Sequence, residues 1–433
     1  MIMNTWNSHQ FFEDPPSAEY FLGILDTVFM TAYAMGLFIS GIIGDRYNMR
    51  VVLSIGMWLS ALTVFLFGTL SEWLHIYNEY YYGIFWFLNG LFQSSGWPIT
   101  VTIMGNWFGK ANRGIVFGVW GACTSVGNII GSYLVASVLI YGYQWAFLVP
   151  ACLLFAGGIV IFFTLVASPT ELGLPLPDNL EEEEEEEVEV DNDRDASVPL
   201  LSENCESGEL LVGPAAKEEP VTFWNALCLP GVLAYSLAYA CLKMVNYSFF
   251  FWLPYYLTVN FKWDQAEADK LSTWYDFGGI AGAIVSGYIS DKMKRRTPTV
   301  MVMLIISPIT LLIYSASPAD KTTNAILMSL VGIFVNGAAN IVSTAVAADL
   351  GRQPVLRGNS KALSTVTGII DGTGSFGAAM GMLIIPVVSK ELDWKYVFYL
   401  FIIMMLLTAI CICPIFIRDA KYYWIKLRSQ TFV

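Results

Sequence analysis

The sequence Gly41-Ile-Ile-Gly44-Asp45-Arg46 returns as Gly287-Tyr-Ile-Ser-Asp291-Lys292, 246 residues further along the chain. Each copy stands at the polar end of a long apolar stretch and is followed by further basic residues. A second pair, Asn89-Gly90 and Asn336-Gly337, has an offset of 247. Two independent pairs with nearly one offset indicate a duplicated half. Parallel duplication is how one large class of membrane transporters builds its two half-domains.

The composition is that of a membrane protein. Hydrophobic residues make up 55% of the chain and charged residues only 14%, whereas a soluble domain carries about a quarter charged residues. The net charge of −13 comes from one segment, 168–222, which holds 18 acidic residues against Arg194 and Lys217. The seven cysteines mostly lie in apolar stretches and are predicted to be free thiols. Cys411 and Cys413 have the spacing of a metal-binding pair, but no other clustered ligand accompanies them. We therefore expect no metal and no cofactor.

Apolar stretches close to the roughly 20 residues that cross a bilayer predict eleven transmembrane helices. They lie near 20–43, 51–70, 82–104, 113–140, 145–167, 231–257, 270–289, 298–316, 325–347, 362–388 and 396–417.

Lysine and arginine placement predicts the orientation, because cytoplasmic loops are enriched in both residues. One set of connections carries fifteen basic residues: Arg46, Arg50, Lys110, Arg113, Lys292, Lys294, Arg295, Arg296, Arg352, Arg357, Lys361, Arg418, Lys421, Lys426 and Arg428. The opposite set carries five: Lys262, Lys270, Lys321, Lys390 and Lys395. The rich side is predicted to be cytoplasmic, which places the C-terminus in the cytoplasm and the N-terminus on the lumenal or outer side.

The predicted fold is all-α, with two helical half-domains in a membrane. The segments are a polar N-terminal segment 1–19, an N-terminal half-domain 20–167 of five helices, an acidic disordered cytoplasmic loop 168–222, a C-terminal half-domain 223–417 of six helices, and a cytoplasmic tail 418–433. The first Asp-Arg motif follows the first span, but its repeat follows the second span of its half. This difference predicts that a helix is missing before residue 20. In the loop, Glu206–Leu211 fits an acidic dileucine sorting pattern, although a solvated spacer is the preferred interpretation.

These residues resemble the major facilitator superfamily, whose signature is the pair of Asp-Arg/Lys loops. Phe92-Gln93-Ser94-Ser95-Gly96-Trp97-Pro98, followed by Trp107-Phe108 and Trp120, resembles its organophosphate:phosphate antiporter branch. The stretches that begin at Lys243 and Lys361 look like those of the animal sugar phosphate exchangers. The resemblance covers about residues 20 to 417.

The resemblance implies exchange of a phosphorylated sugar, of the glucose 6-phosphate class, for inorganic phosphate across an internal membrane by alternating access. It implies the endoplasmic reticulum membrane, with the lysosomal membrane as the alternative. Two other functions stay open: export of other phosphorus-containing anions from lysosomes, and a shortened form that regulates or partners another membrane protein. The family's binding pocket takes basic residues from the first and seventh helices, and a histidine of bacterial relatives falls at Thr124.

Lys243 is the one basic residue deep inside a predicted span. Burying its charge in the membrane is costly, so it should face the interior of the bundle and have a partner. Tyr235, Tyr239 and Asn246 share its helical face at spacings of four and three. A polar stripe around a cation suits a phosphorylated ligand; an internal ion pair that locks two helices is the alternative.

Asp371 and Asp276 also lie inside predicted spans, and either could pair with Lys243 in the absence of substrate. An anionic ligand would then displace the carboxylate. Asn336, Asn340 and Ser343 form another polar face, predicted to line the cavity or to bond between helices.

Three further groups of residues complete the predictions. Asp45, Arg46, Asp291 and Lys292 are predicted to gate the cytoplasmic side. The run from Gly372 to Gly377 matches a dinucleotide fingerprint but follows no strand, so it predicts no nucleotide site. Gly377 and Gly381, like Gly127 and Gly131, are predicted to allow close helix packing. The sequence holds no catalytic triad, metal cluster or phosphate-binding loop, which argues against an enzyme and against nucleic-acid binding.

Overall fold

The computed structural model describes residues 6, 9, 11–12, 15–110, 112–175, 177, 220–293, 295–353, 356 and 361–430. The acidic run Glu181–Glu187 and the dileucine pattern lie outside these residues. The described residues form helices and turns and include no β-strand.

The first five predicted spans are occupied by seven helices. They are α1 (Pro15–Arg46), α2 (Met49–Val64, extended by a π-helical turn Phe65–Leu70 and by Ser71–Trp73), α3 (Glu79–Gln93), α4 (Gly96–Trp107), α5 (Arg113–Gly121), α6 (Cys123–Val138) and α7 (Tyr143–Thr164). Ser94 and Ser95 separate α3 from α4, and Ala122 separates α5 from α6, so two of the predicted spans are each two helices.

The remaining six predicted spans are each occupied by one helix. They are α8 (Val232–Phe261), α9 (Gln265–Lys292), α10 (Thr297–Ser315), α11 (Lys321–Ile341, extended by a π-helical turn Val342–Val346 and by Ala347–Leu350), α12 (Leu363–Glu391) and α13 (Trp394–Gln430). Eight helical stretches among the described residues are long and apolar enough to cross a membrane. The predicted count of eleven remains a prediction.

The contacts between helices repeat along the chain. We call α1 to α7 the first part of the chain and α8 to α13 the second part. In the first part α1 packs on α3 and α2 on α7; in the second part α9 packs on α11 and α10 on α13. Between the two parts α1 packs on α12, and α5 packs on α9. The repeated motif therefore stands on equivalent helices, α1 and α9, and each of them contacts the other part of the chain.

Two contacts join residues that are themselves 246 positions apart. Trp97 Nε1 donates to the Ser343 carbonyl over 3.3 Å, and Arg352 Nη2 donates to Asn106 Oδ1 over 2.5 Å. Residues at equivalent positions of two parallel repeats can meet only close to the axis that relates the repeats. The line through these contacts therefore marks the pseudo-twofold axis, with α4 and the end of α11 beside it.

Glycines set the closest crossings between the two parts. A Cβ atom at Gly41 would lie 2.8 Å from the Ser364 carbonyl, and one at Gly287 would overlap the Gly114 carbonyl. The first glycine of each motif copy is therefore the point where two backbones meet. Gly377 and Gly381 also face neighbouring helices, as predicted, but the prediction is wrong for Gly127 and Gly131, since nothing described lies within 4 Å of a Cβ added there.

Candidate functional site

Lys243 lies at the middle of α8 and is 2% exposed. Its ammonium donates to Asp371 Oδ1 over 2.7 Å and to Ser375 Oγ over 2.8 Å. Asp371 and Ser375 are one turn apart on α12, so both point at the same place on α8. A buried charge is tolerated only with such partners, and the predicted ion pair is formed with Asp371.

Three tyrosine rings surround the ammonium. The Nζ atom lies 5.0 Å from the ring centre of Tyr247, 5.6 Å from that of Tyr239 and 5.7 Å from that of Tyr33. These distances are within the range of cation–π attraction. Tyr239 and Tyr247 lie one turn to either side of Lys243 on α8, whereas Tyr33 comes from α1. The ammonium therefore sits where the two parts of the chain meet.

The ion pair opens onto a cavity of about 190 Å³. One wall comes from the first part of the chain: Tyr33, Trp97, Gly121, Ala122, Thr124 and Ser125. The other comes from the second part: Tyr239, Lys243, Asn246, Tyr247, Gly279, Ala283, Asn336, Ala339, Asn340, Ser343 and Asp371. Lys243 and Asp371 are the charged residues among these walls, so any anion that enters meets one cation and one carboxylate.

Five of the predicted binding residues line this cavity: Tyr239, Lys243, Asn246, Asn336 and Asp371. Asn246 accepts a hydrogen bond from the Tyr275 hydroxyl. Asn340 and Ser343 also line the cavity, as does Thr124.

Tyr235 and Asp276 lie away from the described walls of the cavity. The Tyr235 hydroxyl donates to Thr297 Oγ1 over 3.1 Å, at the start of α10. Asp276, on α9, lies beside the side chains of Ser125 and Asn128 on α6. It therefore bridges the two parts of the chain, while Lys243 takes Asp371 as its partner.

Sequence reasoning missed Tyr33, Tyr247 and Ser375. Tyr247 and Ser375 were visible in principle, because each lies four residues from a predicted site residue on the same helix. Tyr33 was not, since only the packing of α1 beside α8 and α12 brings its ring to the ammonium.

The two motif aspartates cap helices of the opposite part. Asp45 accepts the backbone N–H groups of Ser364 (3.0 Å) and Thr365 (2.7 Å) at the start of α12. Asp291 accepts those of Gly114 (2.8 Å) and Ile115 (2.7 Å) at the start of α5. A carboxylate at a helix N-terminus satisfies free donors and complements the helix dipole. The capped positions are 250 residues apart, so the pair repeats the symmetry of the motif.

Ion pairs join the same end of the helices, the end predicted to be cytoplasmic. Arg113 Nη1 lies 2.8 Å from Asp349 Oδ1, and Arg296 Nε lies 2.9 Å from Asp349 Oδ2. Arg296 also pairs with Asp291 and donates to the Lys110 carbonyl over 3.0 Å. Burial lowers the pKa of Arg296, but Asp349 and Asp291 raise it more, so the net shift is upward and the guanidinium stays charged. This network links α5, α9 and α11 across the two parts.

The basic residues of the motif lie elsewhere. Arg46 is exposed at the end of α1, and the Lys292 ammonium lies 4.7 Å above the Tyr288 ring of its own helix. Of the four predicted gating residues, only Asp45 and Asp291 thus lie at the contacts between the two parts. The basic side chain that pairs with Asp291 there is Arg296, which lies outside the motif.

Comparison with known proteins places these features in context. The sequence model described as Major Facilitator Superfamily matches residues 15–358. Sugar phosphate exchanger 3 of Xenopus laevis is 54% identical over 99% of this chain and 85% of its own length; that of Homo sapiens is 50% identical over 99% and 86%. The Glucose-6-phosphate exchanger SLC37A2 of Xenopus tropicalis is 40% identical over 96% and 82%. Among solved structures, the proton:xylose symporter XylE has a TM-score of 0.64 at 11% identity, over 95% of this chain and 90% of that one.

Proposed function

Because the chain belongs to the Major Facilitator Superfamily, we propose that it exchanges a phosphorylated sugar of the glucose 6-phosphate class for inorganic phosphate by alternating access. The family and fold predictions are confirmed, and with them the reading of the chain as a multi-pass membrane transporter and not an enzyme. Its similarity to animal sugar phosphate exchangers is likewise confirmed. The substrate, its binding residues and the direction of exchange belong to the proposal.

The buried Lys243–Asp371 pair is the observation that carries the proposal. A phosphate group accepts short, charge-assisted hydrogen bonds from an ammonium in a cavity of low dielectric constant. Phosphate would take the place that the Asp371 carboxylate holds at Lys243, with Ser375 and Tyr239 as further donors. Without substrate, the Lys243 ammonium is neutralised by Asp371, so an anion can bind the ammonium only by replacing the Asp371 carboxylate. Such competition favours exchange of one anion for another.

Names of relatives support the substrate class. Proteins called sugar phosphate exchanger and glucose-6-phosphate exchanger are 40% to 54% identical to this chain over nearly its whole length. The cavity adds polar and aromatic side chains beyond the cation, which suit a ligand with hydroxyl groups as well as a phosphate. We therefore place both phosphorylated sugar and inorganic phosphate at Lys243, in turn.

The caps and ion pairs at the cytoplasmic end support alternating access. Asp45 and Asp291 hold helices of opposite parts together on the side predicted to be cytoplasmic. These contacts close that side, and they must break before the cavity can open to it. The proposed gate thus consists of the two aspartate caps and the Arg113–Asp349–Arg296 network.

We assign the protein to the endoplasmic reticulum membrane. The assignment follows from the proposed exchange of a glucose 6-phosphate class substrate across an internal membrane. Co-localisation of a tagged chain with endoplasmic reticulum and lysosomal markers tests it, and a purely lysosomal pattern would contradict it.

Counterflow in proteoliposomes tests the function. The purified chain is reconstituted in vesicles loaded with labelled inorganic phosphate, and label loss is followed after unlabelled glucose 6-phosphate is added outside. We expect loss that depends on external phosphate ester and that is absent with glucose alone. If neither glucose 6-phosphate nor any other sugar phosphate accelerates the loss, the proposed exchange is wrong.

A further inference from the structure

We propose that the cavity has a second subsite, built from Asn336, Asn340 and Trp97, that binds the hydroxyl-bearing organic part of a phosphate ester. The inference rests on the proposed function, since it assumes that the phosphate group is held at Lys243. The inference goes beyond that function by naming the residues that would distinguish a phosphate ester from inorganic phosphate.

The two asparagines present their amides on one face of α11. They are four residues apart, one helical turn, and both line the cavity. The Asn340 side chain lies against Gly121 of α5, where an added Cβ would overlap its amide, and Asn336 lies in the same way against Gly279. Glycine at these two positions leaves room for the amides. Each amide offers two donors and one acceptor, which is the chemistry that sugar hydroxyls require.

The side-chain amide oxygen of Asn340, Oδ1, is buried and has no hydrogen-bond partner among the described residues. A buried acceptor without a partner is costly, and in native proteins it calls for an explanation. A ligand hydroxyl that donates to this oxygen would be the missing partner and would explain why the oxygen is left without one in the protein. The Tyr275 hydroxyl satisfies Asn246, so that neighbouring amide is already engaged.

An aromatic surface adjoins the amides. Trp97 lines the cavity, and its ring lies 5.0 Å from that of Trp120 at an angle of 31°. Its indole nitrogen is already bound to the Ser343 carbonyl, which leaves the ring as the part available to a ligand. Apolar faces of sugar rings pack on such surfaces, while amides satisfy the hydroxyls.

The backbone beside the subsite is unusual. The π-helical turn Val342–Val346 begins just after Asn340, whose backbone carbonyl accepts from Ser343 Oγ (3.1 Å) and Thr344 Oγ1 (2.7 Å). Such turns are frequently found at functional sites. Here it places the Ser343 carbonyl on Trp97 and so fixes the aromatic ring beside the amides.

Two activities of one preparation separate this subsite from the phosphate site. Phosphate self-exchange uses labelled and unlabelled inorganic phosphate on opposite sides; ester exchange uses external glucose 6-phosphate against internal phosphate. For Asn340→Leu, which keeps the side-chain size and removes the amide, we expect self-exchange within about twofold of the wild type. The half-saturating concentration of glucose 6-phosphate should rise roughly ten- to hundredfold, as for the loss of a buried hydrogen bond. Asn336→Ala should act in the same direction.

Asn260→Leu is the matched control, because Asn260 is exposed at the end of α8, is not among the residues that line the cavity, and donates its amide to the Tyr256 hydroxyl. It should leave both activities unchanged. Thermal stabilisation of each purified variant by inorganic phosphate checks folding and phosphate binding independently of transport.

The outcomes separate the two proposals. If the wild type exchanges phosphate but no sugar phosphate, the proposed function fails. If the wild type exchanges both, and Asn340→Leu and Asn336→Ala are stabilised by phosphate yet either keep normal ester exchange or lose both activities equally, the subsite is wrong and the function stands. Loss of stabilisation by phosphate in both variants would also overturn the subsite, because it would place the amides at the phosphate end.

Discussion

Lys243 has two roles that a single substitution cannot separate. It neutralises Asp371 in the folded protein, and in the proposed function it binds phosphate. Replacing the lysine alone leaves a buried carboxylate without its partner, which costs about 3–5 kcal/mol. Removing both charges avoids that cost but still removes the cation. Stability and transport should therefore respond differently to the double substitution.

For Lys243→Gln we expect a lower melting temperature and loss of phosphate self-exchange by at least roughly tenfold. Lys243→Arg should keep part of the activity, because the positive charge is retained. The double variant Lys243→Gln with Asp371→Asn should regain stability without regaining transport. Thermal unfolding and self-exchange, measured on the same samples, check all three. Recovery of transport in the double variant would show that Lys243 is a structural partner of Asp371 and not a ligand.

The sequence predicted this ion pair for a simple reason. Charges inside apolar spans are rare, so Lys243, Asp371 and Asp276 stood out, and helical spacing placed Tyr239 and Asn246 beside the lysine. The choice between the two acids could not be predicted, since it depends on whether α9 or α12 faces α8. Tyr33 was hidden for the same reason. Its contact with Lys243 joins two parts of the chain, and no local sequence pattern predicts how α1 packs beside α8 and α12.

At the level of helices, the motif aspartates act on elements far from their own. Asp45 ends α1 and caps α12; Asp291 ends α9 and caps α5. Each cap is an interaction that exists only while the two parts are closed at this end. Loss of a cap costs about 0.5–2 kcal/mol, and here that cost falls on the closed conformation.

We therefore expect Asp45→Ala and Asp291→Ala to shift the carrier toward the form open to the cytoplasm. A reporter cysteine at Thr124, in a background without native cysteines, would be labelled from the cytoplasmic side roughly two- to thirtyfold faster. Asp320→Ala is the control. Asp320 accepts from Thr323 at the start of α11, a cap within one part of the chain, and these hydrogen bonds lower its pKa, so its carboxylate is charged at neutral pH. An equal acceleration by the control would contradict a gating role for the motif.

The sequence predicted the caps only in outline. The repeated motif at helix ends indicated a gate, but its aspartates bind backbone N–H groups, which every sequence has. Nothing in the residues at 114–115 or 364–365 identifies them as partners. The basic residue of the gate was not predicted at all, because Arg296, which lies outside the motif, forms the ion pair with Asp291 that was expected of Lys292.

Across the whole molecule, closure brings residues of distant parts within reach of a disulfide. A Cβ atom at Gly44 lies 3.0 Å from the Ser364 Cβ, across the two parts; one at Gly36 lies 2.8 Å from the Ser94 Cβ, within the first part. Both distances are shorter than the roughly 3.5–4.5 Å between the Cβ atoms of a disulfide, so each pair of cysteines would be within reach of a disulfide after a small outward shift of the two helices. They differ in whether the bond would join the two moving bodies.

In a background without native cysteines, Gly44→Cys with Ser364→Cys should stop exchange when oxidised and recover it when reduced. The bond holds the end predicted to be cytoplasmic closed, and alternating access requires that end to open. Gly36→Cys with Ser94→Cys, oxidised in the same way, should keep its activity. Gel mobility after proteolysis between the halves reports cross-linking of the first pair. Continued exchange by the fully cross-linked pair would exclude opening at this end as a step of transport.

The contacts on the pseudo-twofold axis carry a consequence for ancestry. A residue that meets its own counterpart is the mark of an isologous dimer interface, so we infer that Trp97–Ser343 and Asn106–Arg352 keep the geometry of two half-length chains that once paired side by side. Their union in one gene freed each copy to diverge. At the offset of the capped helices, 250, Asp371 corresponds to Gly121. One copy retains a carboxylate beside the lysine, and the other has a glycine that makes room for Asn340. An ancestral homodimer would have offered two identical pockets, whereas the fused descendant can hold a molecule whose two ends are unlike.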